Sequence, residues 1–111
     1  MRLPNGERAF IDPAKLTGYV LNPHHPRGRN KARVFLATLS LSPDGAGILA
    51  SWLTDLAATS AEAVETGEDV YGRRFEICAE MRYAEHVARI VTAWIIRRGE
   101  DFPRLVTAFV E

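Results

Sequence analysis

The sequence holds a single cysteine, Cys78, so no disulfide can form within the chain and no oxidised scaffold is implied. No apolar run approaches the roughly 20 residues needed to span a bilayer, and no basic-then-apolar leader opens the chain. A cytoplasmic protein with no membrane partner is therefore the expectation. Several signals of familiar chemistry are missing as well. There is no glycine-rich phosphate loop, no His-Glu-x-x-His, no cysteine pair and no nucleophile elbow. One cysteine and three scattered histidines argue against a structural zinc site, so neither a metal nor another cofactor is expected. Internal repeats and low-complexity tracts are absent too.

What is present describes one soluble, globular domain over residues 1–111, with 47% apolar and 25% charged residues. Net charge is zero, but it is divided unevenly. Residues 1–43 carry seven basic and two acidic side chains, and residues 44–111 carry seven basic and twelve acidic ones. The positive excess gathers at Arg27, Arg29, Lys31 and Arg33, a stretch without an acid. Such a field attracts phosphate, or is a solvated face that binds nothing.

Periodicity places helices first and strands second. Asp12-Pro13 is a helix start, with Asp12 as cap and Pro13 at the first helical position. Asn22-Pro23 ends that helix, and residues 22–30 form a stiff loop. A second helix, capped by Asn30, carries the apolar stripe Ala32, Phe35, Leu36 and Leu39. A third follows Ser42-Pro43, buries Ile48, Leu49, Trp52, Leu53 and Leu56, and fades towards residue 64. The period then becomes two. Phe75, Ile77, Ala79, Met81 and Tyr83 alternate with charged or polar residues and Cys78, which reads as an inert thiol. Residues 87–97 are apolar on both faces, and Leu105 to Val110 form a further strand. The fold class is α+β, with N-terminal helices packed on a C-terminal twisted antiparallel sheet of three to four strands.

The loop at residues 24–31 carries the most chemistry. RNA cleavage through its own 2′-hydroxyl needs a base, an acid and cations that stabilise the charge on phosphate, but no metal. His25 suits either proton role, with His24 its rival. Lys31, Arg27 and Arg29 meet phosphate, and Asn30 with the first amides of the second helix adds donors. The alternative is a plain surface turn shaped by Pro26 and Gly28. Thr92 and Thr107 on the late strands, with Arg104 near the start of the last, are candidate donors into a cleft, or tolerated strand formers. Tyr19 points at the loop or closes a helix interface.

Leu3-Pro4-Asn5, Lys15-Leu16-x-x-Tyr19-x-Leu21-Asn22-Pro23 and His25-Pro26-x-Gly28-Arg29-x-Lys31-Ala32-x-x-Phe35 resemble the small bacterial family DUF6883. Thr92-x-Trp94-Ile95 and Pro103-Arg104-Leu105-Val106-Thr107-x-Phe109-Val110 extend the resemblance over nearly the whole chain. More distantly, the order of these pieces is similar to C-terminal toxin domains of contact-dependent inhibition proteins, several of them RNases of the barnase/EndoU/colicin/RelE-like fold. That resemblance implies a metal-independent ribonuclease in which His25, Lys31, Thr92 and Thr107 are catalytic. His24, Arg27, Arg29, Asn30, Arg104 and Tyr19 would bind substrate. The loop and one sheet face would then share a cleft. RNA and a cognate antitoxin-like protein are the implied partners, and a monomer or small homo-oligomer the implied state. The toxins' aromatic hydroxyl near the chain end is replaced here by Phe109. Two other readings are a non-catalytic phosphate or nucleic-acid binding module, and a protein-binding component of a two-gene module that uses an edge strand near 104–110.

Overall fold

The computed structural model describes residues 1–111, and its first helix starts where Asp12 can cap it. The Asp12 carboxylate accepts the Ala14 amide at 3.0 Å, and Pro13 takes the first helical position, where a missing N–H loses nothing. This helix, α1 (Pro13–Lys15), widens directly into a π-helical segment, Leu16–Val20, closed by the Leu21 amide on the Leu16 carbonyl at 2.9 Å. The wider turn has a packing reason. It lets Leu21 point inward beside Leu16 and Val20, and all three are buried.

Two longer helices follow, α2 (Arg29–Leu39) and α3 (Ala46–Thr59). Ala32, Phe35 and Leu39 of α2 are buried at spacings of three and four, while Leu36, expected in that stripe, turns to solvent. Ser40 ends α2 in a left-handed conformation, φ 56°, so that the Leu41 amide returns to the Phe35 carbonyl. Helix α3 buries Leu49, Leu53 and Ala57, and leaves Ile48 exposed. It stops at Thr59, well short of residue 64.

The chain then enters a strand that periodicity did not signal, β1 (Val64–Asp69), all six of whose residues are exposed. A strand wet on both faces has no apolar alternation to reveal it. The remaining strands agree with the period-two reading: β2 (Gly72–Tyr83), β3 (His86–Arg97) and β4 (Arg104–Val110). The four strands pair antiparallel in chain order. The fold is α+β, and the helices pack on one face of this sheet. Phe75, Ile77 and Met81 of β2, Ile90 and Trp94 of β3, and Leu105 and Ala108 of β4 join the helical stripes in one core.

One irregularity decides which residues reach the opposite, open face. Trp94 pairs with Leu105 but Ala93 pairs with Thr107, so Val106 is an extra residue, a β-bulge. The bulge turns Thr107 onto the face of Ala93. Simple alternation from Leu105 would have left it in the core.

Candidate anion-binding surface

The loop between α1 and α2 is built by a small set of polar contacts. Asn22 Oδ1 accepts the His24 amide at 2.9 Å, and Asn22 Nδ2 donates to the Gly18 carbonyl at 3.2 Å. His25 Nδ1 accepts two amides, from Arg27 at 3.0 Å and Gly28 at 3.1 Å. Its ring meets Tyr19 edge-on, with centroids 4.7 Å apart. Gly28 is buried against the same tyrosine. A Cβ there would lie 3.0 Å from the Tyr19 carbonyl oxygen and 3.3 Å from its ring. Tyr19, Asn22, His25 and Gly28 thus shape the loop, and Tyr19 is half-buried as part of that frame.

This geometry assigns the His25 tautomer. With Nδ1 accepting two N–H groups, the ring proton is on Nε2, which faces outward as a donor. A general base needs a lone pair directed at the substrate, and the lone pair of His25 is directed into its own loop. His25 is therefore a loop clamp with one donor to offer, and of the two proton roles expected from sequence this leaves that of acid. His25→Ala is expected to cost about 1–2 kcal/mol, the size of a lost cap. His25→Asn should restore most of it, because Asn Oδ1 reaches the same two amides. Chemical denaturation of the two variants checks this.

Helix α2 starts two residues earlier than expected, at Arg29, and Gly28 holds the cap position. Asn30, expected as cap, is an exposed second residue of the helix instead. The backbone amides of Asn30 and Lys31 have no intramolecular acceptor. They lie at the positive end of an 11-residue helix, beside exposed Arg27, Arg29, Lys31 and Arg33. None of these four cations is in an ion pair. The six pairs in the molecule use Arg8, Arg73, Arg74, Arg82, Arg89 and Arg104. His24 is exposed too. The arrangement is a strip of uncompensated donors suited to phosphate.

The two threonines separate. Thr92 is completely buried on the helix-covered face, donates to the Ile77 carbonyl at 2.8 Å and accepts the Trp94 indole N–H at 2.8 Å. It pairs with Ala108, not with Thr107. Thr92 is a core hydrogen-bond bridge, and burial removes it from any cleft. Thr107 is on the open face, and its hydroxyl is buried without a partner. Lys31 reaches the same strand. Its Nζ stands 4.2 Å from the centre of the Phe109 ring, on the face that Thr107 shares two residues away. Phe109, where the resemblance implied a hydroxyl, is thus a platform for Lys31.

Arg104 lies at the other end of β4. Its Nε and Nη2 donate to Glu100 at 2.9 and 2.8 Å, and the rings of Phe10 and Phe102 flank it at 5.1 and 5.0 Å. The hydrogen bond from Arg104 holds the Glu100 carboxyl below its usual range, and Glu100 in turn raises the Arg104 guanidinium. Lys15, Arg74 and Arg97 join Arg104 around one cavity on the open face. Sequence reasoning missed that grouping, in which strand register brings Arg74, Arg97 and Arg104 together and Lys15 joins them from α1.

The fold and the strip together define an α+β domain, helices on one face of a four-stranded antiparallel meander, with an uncompensated cationic loop at its helix start. The family model described as "Domain of unknown function (DUF6883)" matches residues 2–111, and the chain belongs to that family. No curated protein matches it. Among solved structures it is similar to a contact-dependent growth inhibition toxin–immunity protein complex from Klebsiella pneumoniae 342. The TM-score is 0.73 at 16% identity, over 96% of this chain and 97% of that chain. At that identity the likeness is one of fold.

Proposed function

We propose that the protein acts on RNA as a ribonuclease-like domain of a toxin–immunity type module, gripping phosphates with the strip Arg27, Arg29, Lys31 and Arg33. The observation that carries this reading is that these four cations and two free amides at one helix start have no acidic partner within the chain. Likeness in fold to a member of a toxin–immunity complex supports the same direction.

Cleavage through the RNA's own 2′-hydroxyl is the reaction proposed. The 2′-hydroxyl proton passes to water, and the leaving oxygen takes a proton from a donor such as the Nε2–H of His25. The transition state gathers negative charge on phosphate, and the Nε2–H of His25, the ammonium of Lys31 and the guanidinium of Arg29 are all donors. The role of Lys31 and Arg29 is charge stabilisation, so Lys31 is the residue on which the rate should depend most. The test is incubation of the purified protein with total RNA in the presence of a chelator. Fragments ending in 2′,3′-cyclic phosphate, reduced by roughly 10²-fold or more in Lys31→Ala, support cleavage. Intact RNA in the presence of folded protein rejects cleavage.

A partner protein is a second reading, favoured by the open edge of β1 and the exposed Val70 and Tyr71 at the β1–β2 turn. The β4 edge named from sequence is less open. Phe10 pairs with it, donating to the Pro103 carbonyl at 2.8 Å and accepting the Leu105 amide at 3.0 Å.

A further inference from the structure

We propose that the cavity on the open sheet face is a binding site for a nucleotide, its terminal phosphate held by Lys15, Arg74, Arg97 and Arg104. The cavity measures about 350 Å³ and draws its walls from α1, the β1–β2 turn and strands β2 to β4. It lies at the amino end of β4, whereas Lys31 meets the carboxyl end, so the cavity stands apart from the RNA strip.

Register builds the site. Arg74 pairs with Ile95, and Ile95 pairs with Arg104, so one row across three strands reads Arg74, Ile95, Arg104. Neighbouring strands are about 4.8 Å apart, which sets the two arginine Cα atoms roughly 10 Å from each other with an apolar floor between. Arg97 shares this face two residues along β3. The bulge at Val106 adjoins the row, and bulges of this kind re-aim side chains beside binding sites.

Charge chooses the ligand. Four cations line the cavity and no carboxylate does. Asp69 holds Arg74 by its Nε at 2.8 Å, leaving both terminal nitrogens free. Glu100 holds Arg104 by Nε and Nη2, leaving Nη1. These carboxylates fix the guanidiniums while sparing donors for a ligand. Lys15 and Arg97 are in no ion pair, although Arg97 stands near enough to Glu100 to help hold that carboxyl below its usual range. A phosphate monoester is close to dianionic at neutral pH and matches those two cations. Tyr71, 69% exposed at the rim, and the Ile95, Leu105 and Val106 wall offer an aromatic and apolar surface for a base.

The adjoining cavity shares Arg97 and adds Arg73 and Arg98, but there Glu68, Glu100 and Asp101 balance the cations.

The test is an NMR or calorimetric titration of the whole protein with adenosine 5′-monophosphate, inorganic phosphate and adenosine. Saturable binding of the monophosphate is expected, with phosphate weaker and adenosine weaker still. Lys15→Ala and Arg97→Ala should each weaken it about tenfold or more. Both residues lack an ion-pair partner, so both variants should melt like the wild type. Arg82→Ala, a charge change outside both the cavity and the strip, should bind the monophosphate unchanged. A short single-stranded RNA carrying a 5′-phosphate distinguishes a strand end from a free nucleotide as the natural source. Absence of saturable binding up to roughly 10 mM, or equal binding by Lys15→Ala and Arg97→Ala, overturns the proposal.

Discussion

Thr92→Val is expected to destabilise the protein by about 2–3 kcal/mol, lowering its melting temperature by roughly 10–15 °C. Valine keeps the shape of threonine, so the loss is not a cavity effect. It removes the acceptor of the Trp94 indole N–H and the donor to the Ile77 carbonyl, in a site from which water is excluded. An orphaned buried donor bears its full desolvation penalty. Thr92→Ser should keep most of the stability, since the hydroxyl survives. Combining Thr92→Val with Trp94→Phe should cost less than the sum of the two single changes, because no orphaned N–H remains. Denaturant unfolding of all four variants measures the cycle. RNA binding should be unchanged in each variant that folds, as expected of a core residue.

Replacing Arg27, Arg29, Lys31 and Arg33 together by alanine is expected to reduce affinity for single-stranded RNA by roughly 10²–10³-fold near 0.1 M salt. Each of the four can neutralise one phosphate, and none gives up an internal ion pair to do so. For the same reason the variant should fold normally, since surface substitutions of unpaired charges shift stability little. Single changes should act unequally. The Lys31 ammonium also stands over the Phe109 ring, so Lys31→Ala loses that contact as well as a phosphate partner. Fluorescence anisotropy with a labelled oligonucleotide resolves these differences, and circular dichroism confirms that the variants are folded.

Much of the scaffold can be read from residue order because its faces differ in polarity. Phe75 to Tyr83 alternate across a sheet with one covered side, and Asp12-Pro13 announces a helix start through local chemistry alone. β1 offers neither clue, since Val64–Asp69 is exposed throughout and owes its strand form to pairing with β2. The loop was also legible as a loop, through Pro23, Pro26 and Gly28. The role of His25 was not, because it depends on which ring nitrogen faces the Arg27 and Gly28 amides. Thr92 and Thr107 look alike in sequence. One extra residue, Val106, sends them to opposite faces, and a bulge has no signature in a Leu-Val-Thr run. The Arg74, Arg97 and Arg104 row depends on strand pairing, and Lys15 joins it from a helix, so the cluster was invisible in residue order.

The measurement that tests the account most directly is the salt dependence of RNA binding. Four phosphate contacts to a single strand give a slope of about −2.8 in log affinity against log salt, or roughly a 50-fold loss between about 50 and 200 mM. The wild-type protein should show a slope near that value, and the Arg29→Ala, Lys31→Ala double variant about half of it. A slope near zero, or one that the double variant leaves unchanged, would contradict the assignment of the strip to RNA.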